Sequence, residues 1–187
     1  MDFYSAVTAA KNFATWAVPV GVSLILAWKA VAEWKRSNEQ RETDLRWRQA
    51  EMAKSCLDEL SPYARHALKM LDWDGRNYEL TDKTLTQPIF HHTRRDSLRT
   101  QNPSFPPGDD GPFIRDAYDD LFDAFERFEH FIRIRLIRFE DVAGVLRYYV
   151  SKMAQTEERP VMEAFLSEYG FTLAPAFLNR FQEWSEA

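Results

Sequence analysis

Phe13 to Trp28, FATWAVPVGVSLILAW, is an uncharged run of sixteen residues. It decides which solvent the N-terminus can occupy. A bilayer core about 30 Å thick needs roughly 20 helical residues at about 1.5 Å rise each. The run alone reaches about 24 Å. Lys11 and Lys29 flank it, and long cationic side chains snorkel to headgroups. With that allowance Ala9 to Val31 is long enough to span. Trp16, Trp28 and Trp34 suit interfacial belts, where an amphipathic ring sits at headgroup level. Pro19 removes a helical donor and predicts a kink. The small residues Ala17, Gly21 and Ser23 would let a second copy of the helix approach closely. Phe13, Trp16, Pro19, Gly21, Leu24, Leu26 and Trp28 are therefore read as a membrane anchor within residues 1–32.

Two other readings of the run stay open. Ala30-Val31-Ala32 has the small-x-small form of a signal-peptide cleavage site, although Asp2 spoils the usual positive start. A buried core helix is also compatible with the length. For an anchor, Lys29, Lys35, Arg36 and Arg41 follow the run and only Lys11 precedes it. The positive-inside rule then places the C-terminal part in the cytoplasm. A single cysteine, Cys56, agrees with a reducing compartment.

The 187 residues leave room for the anchor and one domain. The net charge of −5 argues against a general nucleic-acid binder, which would be basic. Fourteen Phe are enough to fill a helical core. Residues 33–60 lack Gly and Pro and predict a helix continuing out of the membrane, its part from Leu45 packing on the domain. Glu42 with Arg46 and Asp44 with Arg48 are spaced four apart, acid first. Heptad positions hold Val31, Asn38, Leu45 and Met52 on one row but Trp34, Arg41, Arg48 and Ser55 on the other, so only half a coiled-coil seam exists.

Residues 61–187 read as a cytosolic helical domain. Ser61-Pro62 is an N-cap followed by a favoured first residue, with Tyr63, Ala67, Met70 and Leu71 as apolar face to Trp73. Asp74-Gly75 ends that helix. Residues 82–111 form a loose Pro-rich segment with one short helix near Ile89 to Leu98. From Pro112 the residues Phe113, Ala117, Leu121, Phe125, Phe128 and Ile132 recur at steps of three and four. The acids Asp116, Asp119, Asp120 and Asp123 early in that helix, and the arginines at its end, complement its macrodipole. Further helices are predicted over Phe139 to Met153, from Pro160 to a Gly170 cap, and from Pro175. No segment alternates as a strand. The expected fold class is all-α: one N-terminal transmembrane helix continuing into a long helix, then a helical bundle.

His91, His92, Arg94, Arg95 and Arg99 form the one dense cationic patch. Arginine forks match phosphate oxygens and protonated imidazoles add donors. The patch is either a site for an anionic ligand, such as a nucleotide, a cyclic oligonucleotide or a lipid headgroup, or a solvated helix face paired with the acidic helix. Asp116, Asp120 and Asp123 share one helical face, as metal-holding carboxylates can; the macrodipole explains them equally. His66 and His130 are lone helical histidines, and Cys56 lacks a sequence-local partner. No phosphate loop, nucleophile elbow or zinc spacing occurs. The expectation is therefore no catalytic residue, no metal and no cofactor.

Two segments carry a family resemblance. One runs from Arg48-Gln49-Ala50 through Ser61-Pro62-Tyr63-Ala64-Arg65-His66-Ala67-Leu68 to Met70-Leu71-Asp72-Trp73. The other runs from Phe125-Glu126-Arg127-Phe128-Glu129 through Phe139-Glu140-Asp141-Val142 to Leu146-Arg147-Tyr148-Tyr149. They resemble a family of small single-pass bacterial membrane proteins with an all-helical cytosolic domain of unknown function. The resemblance implies an inner-membrane setting and no catalytic residues. Two functions follow as expectations. The first is a non-enzymatic, membrane-anchored module that binds partners or forms homo-oligomers on the cytoplasmic face. The alternative is a ligand-gated membrane effector, as in nucleotide-signalled antiviral defence, using the cationic patch.

Overall fold

From Phe3 to Asp58 the chain is a single helix, α1, in the computed structural model. The structure describes residues 3–72, 89–100, 110–155 and 158–186, with the helical stretches 3–22, 24–25, 154–155 and 185–186 as backbone alone. The absence of Gly and Pro after Gly21 keeps α1 unbroken, and the helix also continues through Pro19. The chain divides into two units, Met1–Arg48 and Gln49–Ala187.

The first unit is α1 up to Arg48. Leu26, Trp28, Val31, Trp34, Leu45 and Trp47 stand exposed along it. Among the described residues, no helix is long and apolar enough to cross a membrane. The anchor reading falls largely outside them, because the side chains of Phe13, Trp16, Pro19, Gly21 and Leu24 are not described.

The second unit holds the last turns of α1 and six further helices: α2 (Pro62–Asp72), α3 (His91–Leu98), α4 (Asp110–Arg133), α5 (Phe139–Gln155), α6 (Arg159–Glu168) and α7 (Ala174–Glu186). The described residues are all-helical, with no strand. Within this unit the last turns of α1 pack through Ala53, which is buried, and Cys56 and Leu57, which are half-buried. Ser61 caps α2, accepting the Ala64 N–H on its Oγ at 2.9 Å.

α4 is the central helix and packs against α2, α3 and α7. Ala117, Leu121, Phe125 and Phe128 are buried as the periodicity requires. Ile114, Tyr118 and Phe122 are buried as well, because neighbours on several sides widen the apolar stripe beyond one face. The same crowding turns α2: Ala64 and Leu68 enter the core, whereas Tyr63 remains exposed. Phe122, Phe125 and Phe128 of α4 meet Phe165 of α6 and Phe177 of α7, with Phe125 and Phe177 centroids 5.0 Å apart. Phe139 of α5 joins through Phe177 and Phe181. Fully burying one such ring contributes about 1.5–3 kcal/mol. The Trp73 and Asp74-Gly75 helix end and most of the Pro-rich segment lie outside the described residues.

Two helix ends use the same chain geometry with different residues. After α6, Phe171 N–H bonds Leu166 O and Gly170 N–H bonds Ser167 O, with Gly170 at φ 75°. After α4, Leu136 N–H bonds Phe131 O and Arg135 N–H bonds Ile132 O, with Arg135 at φ 59°. Both are Schellman ends, whose left-handed position suits glycine because it has no Cβ.

Candidate functional site

The cationic patch lies on α3, and the helix sorts its members by face. Phe90 precedes α3 in extended conformation and offers no side-chain cap. Its ring stacks on His92 at 5.3 Å, and His91 meets His92 edge-on at 5.6 Å. Both imidazoles are exposed. Arg95 and Arg99 each pair with Asp96 at 3.3 Å on the same helix.

Arg94 points the other way. Its side chain is 3% exposed and that of Glu158 is 0%. Nη2 donates to Glu158 Oε1 at 2.8 Å, Nε to Oε2 at 3.4 Å and Nη1 to the Met70 carbonyl at 2.9 Å. The Glu158 carbonyl in turn accepts the Val161 and Met162 N–H groups at the start of α6. Arg94 therefore ties α3 to α2 and α6 and presents no donor to solvent. The five residues named from the sequence do not converge on one surface site. Four lie at the surface and the fifth is a structural tie.

Among the described residues, Arg95 and Arg99 pair with Asp96 on their own helix and not with the acidic face of α4. Ser61 Oγ donates to Asp120; Asp116 and Asp123 are exposed. Burial raises the Asp119 carboxyl above its ordinary value, and Asp123, Asp120 and Asp116 raise it further against the pull of Arg115. Among the described residues, no group of three or more His, Cys, Asp or Glu converges as a metal site. His66 packs against the Tyr63 and Phe113 rings and His130 beside Phe131. Burial, followed by Glu59, raises the Cys56 thiol, which keeps it from the thiolate form that nucleophiles need.

Three features were not read from the sequence. Glu126 of α4 receives the Thr172, Leu173 and Ala174 N–H groups, the latter two at 2.6 and 3.1 Å. One carboxylate thus supplies the counter-charge for the start of α7. Glu129 is buried and bound by Arg133 at 3.0 Å and Arg180 at 2.9 Å. Burial pushes its carboxyl up, but the hydrogen bonds from Arg180 and Arg133 outweigh that and hold it below the ordinary value.

The third is the α4–α5 corner. Ile134 and Leu136 are exposed on either side of the left-handed Arg135. The Arg135 carbonyl accepts from Gln49 Nε2 at 2.8 Å, which pins the corner to α1. Ile137 is buried beneath it. No usual stop signal marks the corner, since residues 131–138 contain no Gly, Asn or Pro.

Comparison with protein-family models, curated proteins and solved structures found no match to this chain.

Proposed function

We propose that the protein is a non-enzymatic, membrane-anchored helical module that binds partners or self-associates on the cytoplasmic face of a bacterial inner membrane. The observation that carries it is the exposure of Leu26, Trp28, Val31 and Trp34 on a helix that also bears the apolar run. Bare large apolar side chains in a row call for lipid or another protein surface. Trp28 and Trp34 beside Lys29 and Lys35 match interfacial chemistry. The bacterial setting rests on the family resemblance. An anchor confines copies to a plane and raises their effective concentration for one another.

The test is fractionation of cells expressing the full chain. The protein should sediment with membranes, resist alkaline extraction and yield to detergent. In right-side-out spheroplasts the region after Arg48 should be protected from added protease. Recovery in the soluble fraction without detergent would end this reading, and cleavage in intact spheroplasts would reverse the orientation.

The ligand-gated effector is a second reading, supported by the exposed His91 and His92 at the uncapped start of α3. It must work through His91, His92, Arg95 and Arg99, since Arg94 is engaged by Glu158 and Met70. A thermal shift of the full chain with cyclic oligonucleotides, abolished by Arg95→Ala/Arg99→Ala, would favour it. An unmoved melting temperature across the panel would remove it.

A further inference from the structure

The α4–α5 corner exposes two branched aliphatic side chains around one arginine. Arg133 is paired with Glu129 and Arg138 with Glu140, each at 3.0 Å. The Arg135 side chain makes no ion pair or hydrogen bond among the described residues. Its backbone sits where glycine is favoured, so the residue is held in a conformation that costs energy locally. Near the opposite end of α4 lies a surface of complementary chemistry. The Tyr63 ring is exposed and packs on Phe113 at 5.6 Å. Asp116, Asp120 and Asp123 share that side of the helix at spacings of three, four and seven residues, and Asp116 and Asp123 are exposed. At about 1.5 Å per residue the Arg135 corner lies roughly 18 Å along the α4 axis from Asp123 and roughly 29 Å from Asp116. One chain cannot close that gap on itself.

We propose that copies of this chain join head to tail, the Ile134-Arg135-Leu136 corner of one seating on the Tyr63, Asp116 and Asp123 face of the next. This deepens the self-association reading above and rests on it. Arginine flanked by apolar side chains, meeting an aromatic ring and carboxylates, is the composition of an interface hot spot. A lipid surface fits less well: it is held by clusters of cations, and two of the three arginines here are already neutralised by glutamates. The contact is heterologous, so it builds a chain or ring instead of a two-fold dimer. The crowding of the α4 carboxylates favours it, because an incoming guanidinium relieves their mutual repulsion.

The experiment is light scattering on the detergent-solubilised full chain, corrected for detergent mass, across protein concentration. The wild type should grow with concentration and shrink as salt rises from about 50 mM to about 500 mM. Arg135→Asp and Asp116→Arg should each weaken association at least about tenfold. Leu136→Ser should weaken it without altering charge. Mixing the two charge variants restores the Arg135–Asp116 contact in one direction and offers a charge-swapped Asp–Arg pair in the other, so the mixture should associate more strongly than either variant alone. Undiminished assembly by both charge variants overturns the contact while leaving self-association standing. A wild type that stays monomeric at every concentration overturns both.

Discussion

At the scale of single residues, the two Schellman ends make opposite predictions from one geometry. Gly170→Ala forces a Cβ into the left-handed region and should cost about 1 kcal/mol. Arg135→Gly removes that same strain and should gain on the order of 0.5 kcal/mol, after the extra chain entropy of glycine. Urea unfolding of the two variants beside the wild type checks both signs. Arg94 illustrates a different limit. Arg94→Met takes the guanidinium away from the buried Glu158 carboxylate and should cost about 3–5 kcal/mol. The double variant Arg94→Met/Glu158→Leu should recover most of that in the same assay. The sequence contained the charge of Arg94 but not its direction. Arg94 and Arg95 are neighbours in a basic string, yet adjacent helical positions face about 100° apart. Only the placement of α2 and α6 decides which one is buried.

At the scale of helices, periodicity was informative and partnering was not. The residues from Pro112 announce an amphipathic helix, and Ser61-Pro62 announces a capped start. Both are present as α4 and α2, although α4 begins already at Asp110. The full width of the buried stripe on α4 was hidden, since it depends on three neighbouring helices and not on the helix itself. The cradle of Glu126 was hidden for the same reason: its three N–H donors lie over forty residues away in the chain. Glu126→Ala should destabilise the unit by about 1–3 kcal/mol, from the lost charged hydrogen bonds. Hydrogen exchange should show the loss first in the amides at the start of α7. Equal protection there in variant and wild type would mean that water replaces the carboxylate at no cost.

At the scale of the molecule, acid acts through two carboxyl groups with opposite signs. Glu129 has a lowered value in the folded chain. Its contribution is complete above the ordinary value of 4.5 and is lost as pH falls through the lower folded value. Asp119 has a raised value. Its favourable contribution is complete below the ordinary 3.8 and is lost as pH rises through the raised one, so Asp119→Asn should raise the melting temperature at neutral pH. Glu129→Gln should flatten the acid limb of a stability profile, and a wild-type profile already flat below pH 4.5 would contradict the pairing. The all-helical class was legible from the whole chain, through its helical periods and its lack of strand alternation. The surface that carries the proposed contact was not, because it joins residues from α2 and α4 that are distant in sequence. The Glu126 cradle also bears on what the last helix can do alone. The C-terminal helix borrows its opening counter-charge from α4, so it should be far less stable when cut away from that partner. A synthetic peptide of residues 170–187 should accordingly stay mostly coil in water by circular dichroism.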